Sequence, residues 1–174
     1  NILTATTSEL IETEGISKEL ASRIRKISSQ KDSIEKFLEK ELKALEKIGG
    51  RILTVWDEDF PPLLKKIYDP PLVLNVIGQF DEKDKYSIAV VGTRQPTNYG
   101  KIQTEKIVAD LVEQNITIVS GMARGIDSVS HSTALKNNGR TIAVIGSGLD
   151  VIYPAENKKL FNEIKENGVI ISEF

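Results

Sequence analysis

Three short segments carry residue types that could hold an anion: Gly92-Thr93-Arg94, Ser120-Gly121-Met122-Ala123-Arg124-Gly125-Ile126-Asp127 and Gly146-Ser147-Gly148-Leu149-Asp150. Each ends an apolar run and precedes a stretch of helical length. Glycine lets backbone approach a bound group, and the first turn of a following helix presents free N–H groups at its positive end. Serine and threonine add hydroxyl donors, and arginine forks onto a phosphate. Together they describe a phosphate cradle built from loops. The dinucleotide fingerprint G-x-G-x-x-G is missing, because Thr93-Arg94-Gln95 follows Gly92, and no G-x-x-x-x-G-K-[ST] loop occurs. Both absences argue against ordinary NAD or ATP sites.

Asp127 and His131 stand one helical turn apart and could in principle exchange protons. No G-x-S-x-G elbow accompanies them. The pair is therefore read as structural, with Asp127 holding the loop from Ser120 to Gly125 and His131 bridging to it or packing beneath. The chain has no cysteine and one histidine, which excludes disulfides, thiolate chemistry and the usual zinc sites. No metal, cofactor or catalytic residue is expected. Glu173 follows the fourth apolar run and could face the cleft.

The elements that must position these loops are legible from residue 87 onward. Apolar runs at 87–92, 116–121, 141–146 and 169–172 alternate with helical stretches at 99–114, 125–137 and 156–166. Such alternation predicts α/β architecture, with a mainly parallel, doubly wound sheet covered on both faces. Residues 1–48 read as a small helical domain with a thin core. Residues 49–86 read as a connector packing on the sheet, with a strand at 72–78, Trp56 and Phe60 as core staples and a solvated turn at 81–85. Gly15 lies in a turn that looks like a helix-hairpin-helix, although that motif usually carries two glycines. Tyr153-Pro154 is read as shaping the third loop.

The 174 residues carry 23 basic and 25 acidic side chains, for a net charge of −2. No global field announces a polyanion, so any such site must be local. The apolar runs are too short to span a bilayer, no membrane association is expected, and with no leader visible the cytoplasm is the default.

Read together, Phe60-Pro61-Pro62-Leu63-Leu64, Asp69-Pro70-Pro71, Val91-Gly92-Thr93-Arg94, the string from Ser120 to Asp127, Ile145-Gly146-Ser147-Gly148-Leu149-Asp150 and Tyr153-Pro154-Ala155-Glu156-Asn157 resemble the DNA-processing family DprA, also called Smf. The similarity covers residues 51–174. The resemblance implies a Rossmann-like domain at 87–174 and a SAM- or helix-hairpin-helix-like domain before it. It also implies a non-catalytic protein of natural transformation and recombination that binds and protects single-stranded DNA, loads the recombinase RecA and forms a homodimer at full length. Carried over by position, Gly92, Thr93, Arg94, Ser120, Gly121 and Arg124 would bind DNA phosphates, with Gly146, Ser147 and Gly148 flanking the cleft and Asp127 and His131 supporting the loop. The family's sheet continues past Ser172-Glu173-Phe174 into a basic stretch, so the Rossmann-like domain is expected to be incomplete here. A nucleotide phosphoribohydrolase on a related scaffold is the rival, but its P-G-G-x-G-T-x-x-E loop does not occur.

Overall fold

The computed structural model describes residues 2–174, which divide into two compact units, one through Lys43 and the other Ala44–Phe174. In the first unit, α1 (Thr7–Ile11) opens on a reciprocal cap: the Thr6 hydroxyl accepts from the Glu9 N–H at 3.3 Å, and Glu9 accepts from the Thr6 N–H at 2.7 Å. Ser17 caps α2 (Lys18–Ser29) through the Leu20 N–H. Gly15, in the intervening turn, has φ +86°, a conformation glycine adopts without strain. Leu10 and Ala21 are the buried apolar residues of this unit. The long α3 (Lys31–Lys47) starts in this unit and buries no residue.

The second unit is a six-stranded mixed sheet with the order β1-β2-β6-β5-β4-β3. Its parallel half comprises β3 (Ser87–Ala89), β4 (Thr117–Ser120), β5 (Thr141–Val144) and β6 (Val169–Ser172), linked in turn by α4 (Asn98–Glu113), α5 (Ile126–Lys136) and α6 (Lys158–Asn167). The connector does more than pack on this sheet. It contributes β1 (Gly50–Thr54) and β2 (Val73–Gly78), antiparallel to each other, and β2 runs antiparallel to β6.

The parallel strands follow one another in space as in sequence, and each right-handed crossover therefore lays its helix on the same face. Ile118, Ala143, Ile145 and Ile170 point to that face, against Val108 of α4, Ala134 of α5 and Phe161 and Ile164 of α6. The architecture is α/β as expected. The second face, however, is covered by the connector in place of a second helical layer: Phe60 packs with Leu53, Leu74, Val76, Ile142, Val169 and Ile171. Beyond that patch Val144 of the same face is exposed.

Trp56 and the turn at 81–85 differ from expectation, whereas Phe60 does not. Phe60 is 1 % exposed, whereas Trp56 is 76 % exposed and is no core staple. Asp57 accepts from the Thr54 N–H at 2.6 Å and the Thr54 hydroxyl at 2.9 Å, and the tight turn so formed holds Trp56 outward. Nor is the turn at 81–85 wholly solvated. Asp84 is nearly buried, pairing with Arg140 Nε at 2.8 Å and Nη2 at 2.9 Å and accepting from the Thr117 hydroxyl at 3.0 Å. That network joins the turn to β4 and β5 at the edge opposite the glycine loops. Among the described residues no helix is long and apolar enough to cross a membrane.

Truncating Phe60 removes a large side chain from a packed face, so Phe60→Ala should destabilise the chain by about 3–5 kcal/mol. Trp56→Ala should change stability by no more than about 0.5 kcal/mol. Urea unfolding of the two variants beside the parent checks both.

Candidate nucleic-acid interface

The glycine loops leave the carboxyl ends of β3, β4 and β5, the edge at which open α/β sheets bind ligands. Where β3 and β4 end, the Ser120 hydroxyl donates to the Val90 carbonyl at 2.7 Å and ties the two strand ends together. Ser120 is buried and acts from within the edge. The first loop then crosses the start of α5. The Ile126 N–H donates to the Thr93 carbonyl at 3.2 Å, and a β-carbon at Gly92 would stand 2.8 Å from Ile126 Cγ1. Gly125, with φ +79°, lies so close that a β-carbon would collide with the Thr93 carbonyl and reach within 2.8 Å of Arg94 Cα. Only glycine allows this approach. Loops one and two are therefore a single joined surface.

On that surface Arg94 is exposed, and among the described residues its guanidinium has no hydrogen-bond or ion-pair partner. Gly92 and Thr93 are exposed beside it, and the Thr93 hydroxyl accepts from the Gln95 N–H at 3.2 Å. A cation with five N–H donors and no internal acceptor is fit to take a phosphate.

The second loop is built around one carboxylate. Asp127 Oδ2 accepts from the Gly121 N–H at 3.1 Å and the Ala123 N–H at 3.3 Å. A β-carbon at Gly121 would lie 2.8 Å from the same oxygen, so glycine is needed for the carboxylate to reach. Met122, between them, adopts φ +61° with its side chain buried, a backbone shape that must be held from outside. The Ser128 hydroxyl does so by donating to the Ala123 carbonyl at 2.6 Å, and Asn157 Nδ2 by donating to the Met122 carbonyl at 2.8 Å and to Ser128 Oγ at 2.9 Å. Neither Ser128 nor Asn157 stands out by type or position in the sequence, although Asn157 closes the segment Tyr153-Pro154-Ala155-Glu156-Asn157. Two of the loop N–H groups expected to face an anion thus already hold one, and it belongs to the protein.

Arg124 is likewise engaged. Its Nε donates to Glu156 Oε1 at 2.7 Å and its Nη2 to Glu156 Oε2 at 2.9 Å. This fork, in turn, holds the Glu156 carboxyl below the usual carboxylate range. In the third loop the Ser147 hydroxyl donates to the Val151 carbonyl at 3.0 Å, while the Ser147 carbonyl accepts from Ser172 at 2.8 Å. Gly146 is exposed with open space around it, and a β-carbon at Gly148 would crowd Asp150 Oδ1 at 2.7 Å. The Tyr153–Pro154 peptide is cis and precedes Glu156. The structure therefore joins loops one and two directly, and reaches the segment after loop three through Arg124 and Asn157. The three residues Gly146 to Gly148 lean toward the end of β6.

His131 lies beneath the second loop, fully buried. Its Nδ1 is 2.7 Å from Thr141 Oγ1, and the Thr141 hydroxyl itself donates to the Ile118 carbonyl at 2.8 Å. With its one proton so used, Thr141 must accept from His131, which places the imidazole proton on Nδ1. Nε2 is buried without a partner among the described residues. His131 thus packs beneath the loop, with its hydrogen bond to Thr141 and none to Asp127.

Known proteins resemble this chain in both sequence and fold. The family model for DNA recombination-mediator protein A matches residues 51–174, and the chain belongs to that family. Protein Smf of Synechocystis sp. is 43 % identical over 155 residues, covering 87 % of this chain and 38 % of that protein. DNA processing protein DprA of Streptococcus pneumoniae is 42 % identical over 121 residues, covering 70 % of this chain and 43 % of that one. The X-ray structure of the Streptococcus pneumoniae protein superposes with a TM-score of 0.77 at 33 % identity, covering 98 % of this chain and 56 % of its own. A structure of DNA processing protein A from Helicobacter pylori, described for its single-stranded DNA binding mode, gives a TM-score of 0.62 at 35 % identity over 72 % of this chain and 55 % of its own. The chain spans about two fifths of the length of the first two curated relatives.

Burial lowers the His131 pKa from 6.5 to about 4, against the opposing pull of Asp127 and of the Ser120 backbone. The folded value lies below the unfolded one, so the unfolded chain takes up the proton first as pH falls. The stability due to neutral His131, roughly 3 kcal/mol, is complete above pH 6.5 and is lost as pH falls toward about 4. This is the only histidine, so its imidazole resonances can be followed without ambiguity by NMR. A midpoint near 4 is expected, and one near 6.5 would show a solvated ring.

Proposed function

We propose that the chain is the single-stranded DNA-binding part of a recombination mediator, with the strand's phosphates lying along the joined first and second loops. The observation that carries this reading is Arg94, an exposed guanidinium with no partner among the described residues, at the carboxyl edge of the sheet beside Gly92 and Thr93. The name of the family and the description of the Helicobacter pylori structure support it.

A flexible single strand can bend its phosphates into a loop-built edge, whereas a rigid duplex cannot follow one. Tyr99, at the start of α4, and Tyr153, after the third loop, are both exposed and offer faces on which bases stack with little sequence preference. Few groups at this edge are placed to read base edges, so phosphate contacts dominate. The whole protein is proposed to protect incoming DNA during natural transformation, to load RecA onto it and to act as a dimer, without catalytic turnover, in the cytoplasm. Asp127 and His131 then serve as loop supports. One is occupied by backbone N–H groups and the other is buried, and neither faces a positioned nucleophile.

Replacing Arg94 removes a charge-assisted hydrogen-bond donor to phosphate, so Arg94→Ala should weaken single-strand binding about tenfold or more. The slope of log K against log salt should fall by about 0.7 for each phosphate the variant no longer neutralises. Fluorescence anisotropy of a labelled oligothymidylate, with a matched duplex as control, tests both statements. Equal affinity for single strand and duplex, or an Arg94→Ala protein with unchanged affinity and slope, would remove the site from this edge.

A further inference from the structure

We infer that Glu156 is an internal competitor for the DNA phosphate at Arg124: its carboxylate holds the guanidinium fork that a strand would use, and yields it when a phosphate arrives. The inference rests on the single-strand reading above and adds a control on that same site. Three observations carry it.

First, the pair is bidentate, at 2.7 and 2.9 Å. This is the geometry in which a guanidinium takes two phosphate oxygens, so carboxylate and phosphate are alternatives for one fork. Second, both side chains are more than half exposed, at 53 % and 57 %, and the exchange uncovers no buried charge. Third, the backbone on either side is fixed independently of the pair. Asp127, Ser128 and Asn157 hold the loop that carries Arg124. Asn157, next to Glu156, keeps that segment against the loop whichever anion occupies the arginine. Gly125, the neighbour of Arg124, abuts Arg94 Cα, so a strand on Arg94 passes one residue from Arg124. The Arg124 guanidinium holds the Glu156 carboxyl below its ordinary value, and the competitor is therefore charged at neutral pH.

The decisive comparison is the parent chain, Glu156→Gln, Arg94→Ala and the double variant Glu156→Gln/Arg124→Ala, each titrated with labelled oligothymidylate over a range of salt. Glutamine keeps the size of the side chain and removes its charge. Glu156→Gln should bind about three- to tenfold more tightly, with a salt slope steeper by about 0.7, and the double variant should not show that improvement. Thermal unfolding shows whether each variant is folded. If Arg94→Ala weakens binding while a folded Glu156→Gln binds no better than the parent, Glu156 is only a clasp between loops and the inference is overturned with the single-strand reading intact. If neither the parent nor Glu156→Gln binds, both fail.

Discussion

One carboxylate organises the edge of this sheet. Asp127 reaches back from the first turn of α5 to accept the N–H groups of Gly121 and Ala123. The shape of the second loop, the buried position of Met122 and the place of Arg124 all follow from it. A negative group in a helix's first turn is favoured by the dipole, and each charged acceptor bond is stronger than a neutral one. The loop in turn needs glycine at 121, where a side chain would meet the carboxylate, and at 125, where it would strike the first loop. What looks like a glycine-rich anion cradle is thus already closed around an internal anion. Under the proposed function, the external anion falls to Arg94 and to the Arg124 fork once Glu156 yields it.

The sheet supports this arrangement from below. Sequential parallel strands put α4, α5 and α6 on one face, so the three loops emerge side by side along one edge. The antiparallel pair β1 and β2 extends the sheet beyond β6, and Phe60 seals the second face over Ile142, Val169 and Ile171. At the opposite edge the Asp84–Arg140 pair, with Thr117, anchors the starts of β4 and β5. Two kinds of fastening therefore hold the ends of the same strands: a charge pair at one edge, and carboxylate-to-backbone bonds at the other.

The parallel half was legible in the sequence because each strand is a short apolar run ending in glycine or serine, and stretches of helical length separate these runs. The connector was less so. Its strand β1, Gly-Arg-Ile-Leu-Thr, alternates too briefly to stand out, and the role of Trp56 depends on a turn made by Asp57 that composition does not reveal. Loop residues were found by type and position, but which of their groups remain open is a matter of tertiary partners. Ser120, Ser147 and Arg124 each satisfy a neighbour within the fold, and two of those neighbours, Val90 and Glu156, lie about thirty residues away. Charge and hydroxyl content show what a loop could bind; the partners decide what it still can. Asp84 is the converse case, a charged residue in a polar turn that becomes buried because Arg140 and Thr117 converge on it.

The most direct test is to titrate the isotopically labelled chain with an oligothymidylate and map the backbone amide shifts. The largest changes should fall on Gly92, Thr93, Arg94, Arg124 and Gly125, with Gly121 and Ala123 little changed because Asp127 already holds them. Shifts concentrated on β1 and β2, or on the Phe60 face, would contradict a phosphate site at the carboxyl edge.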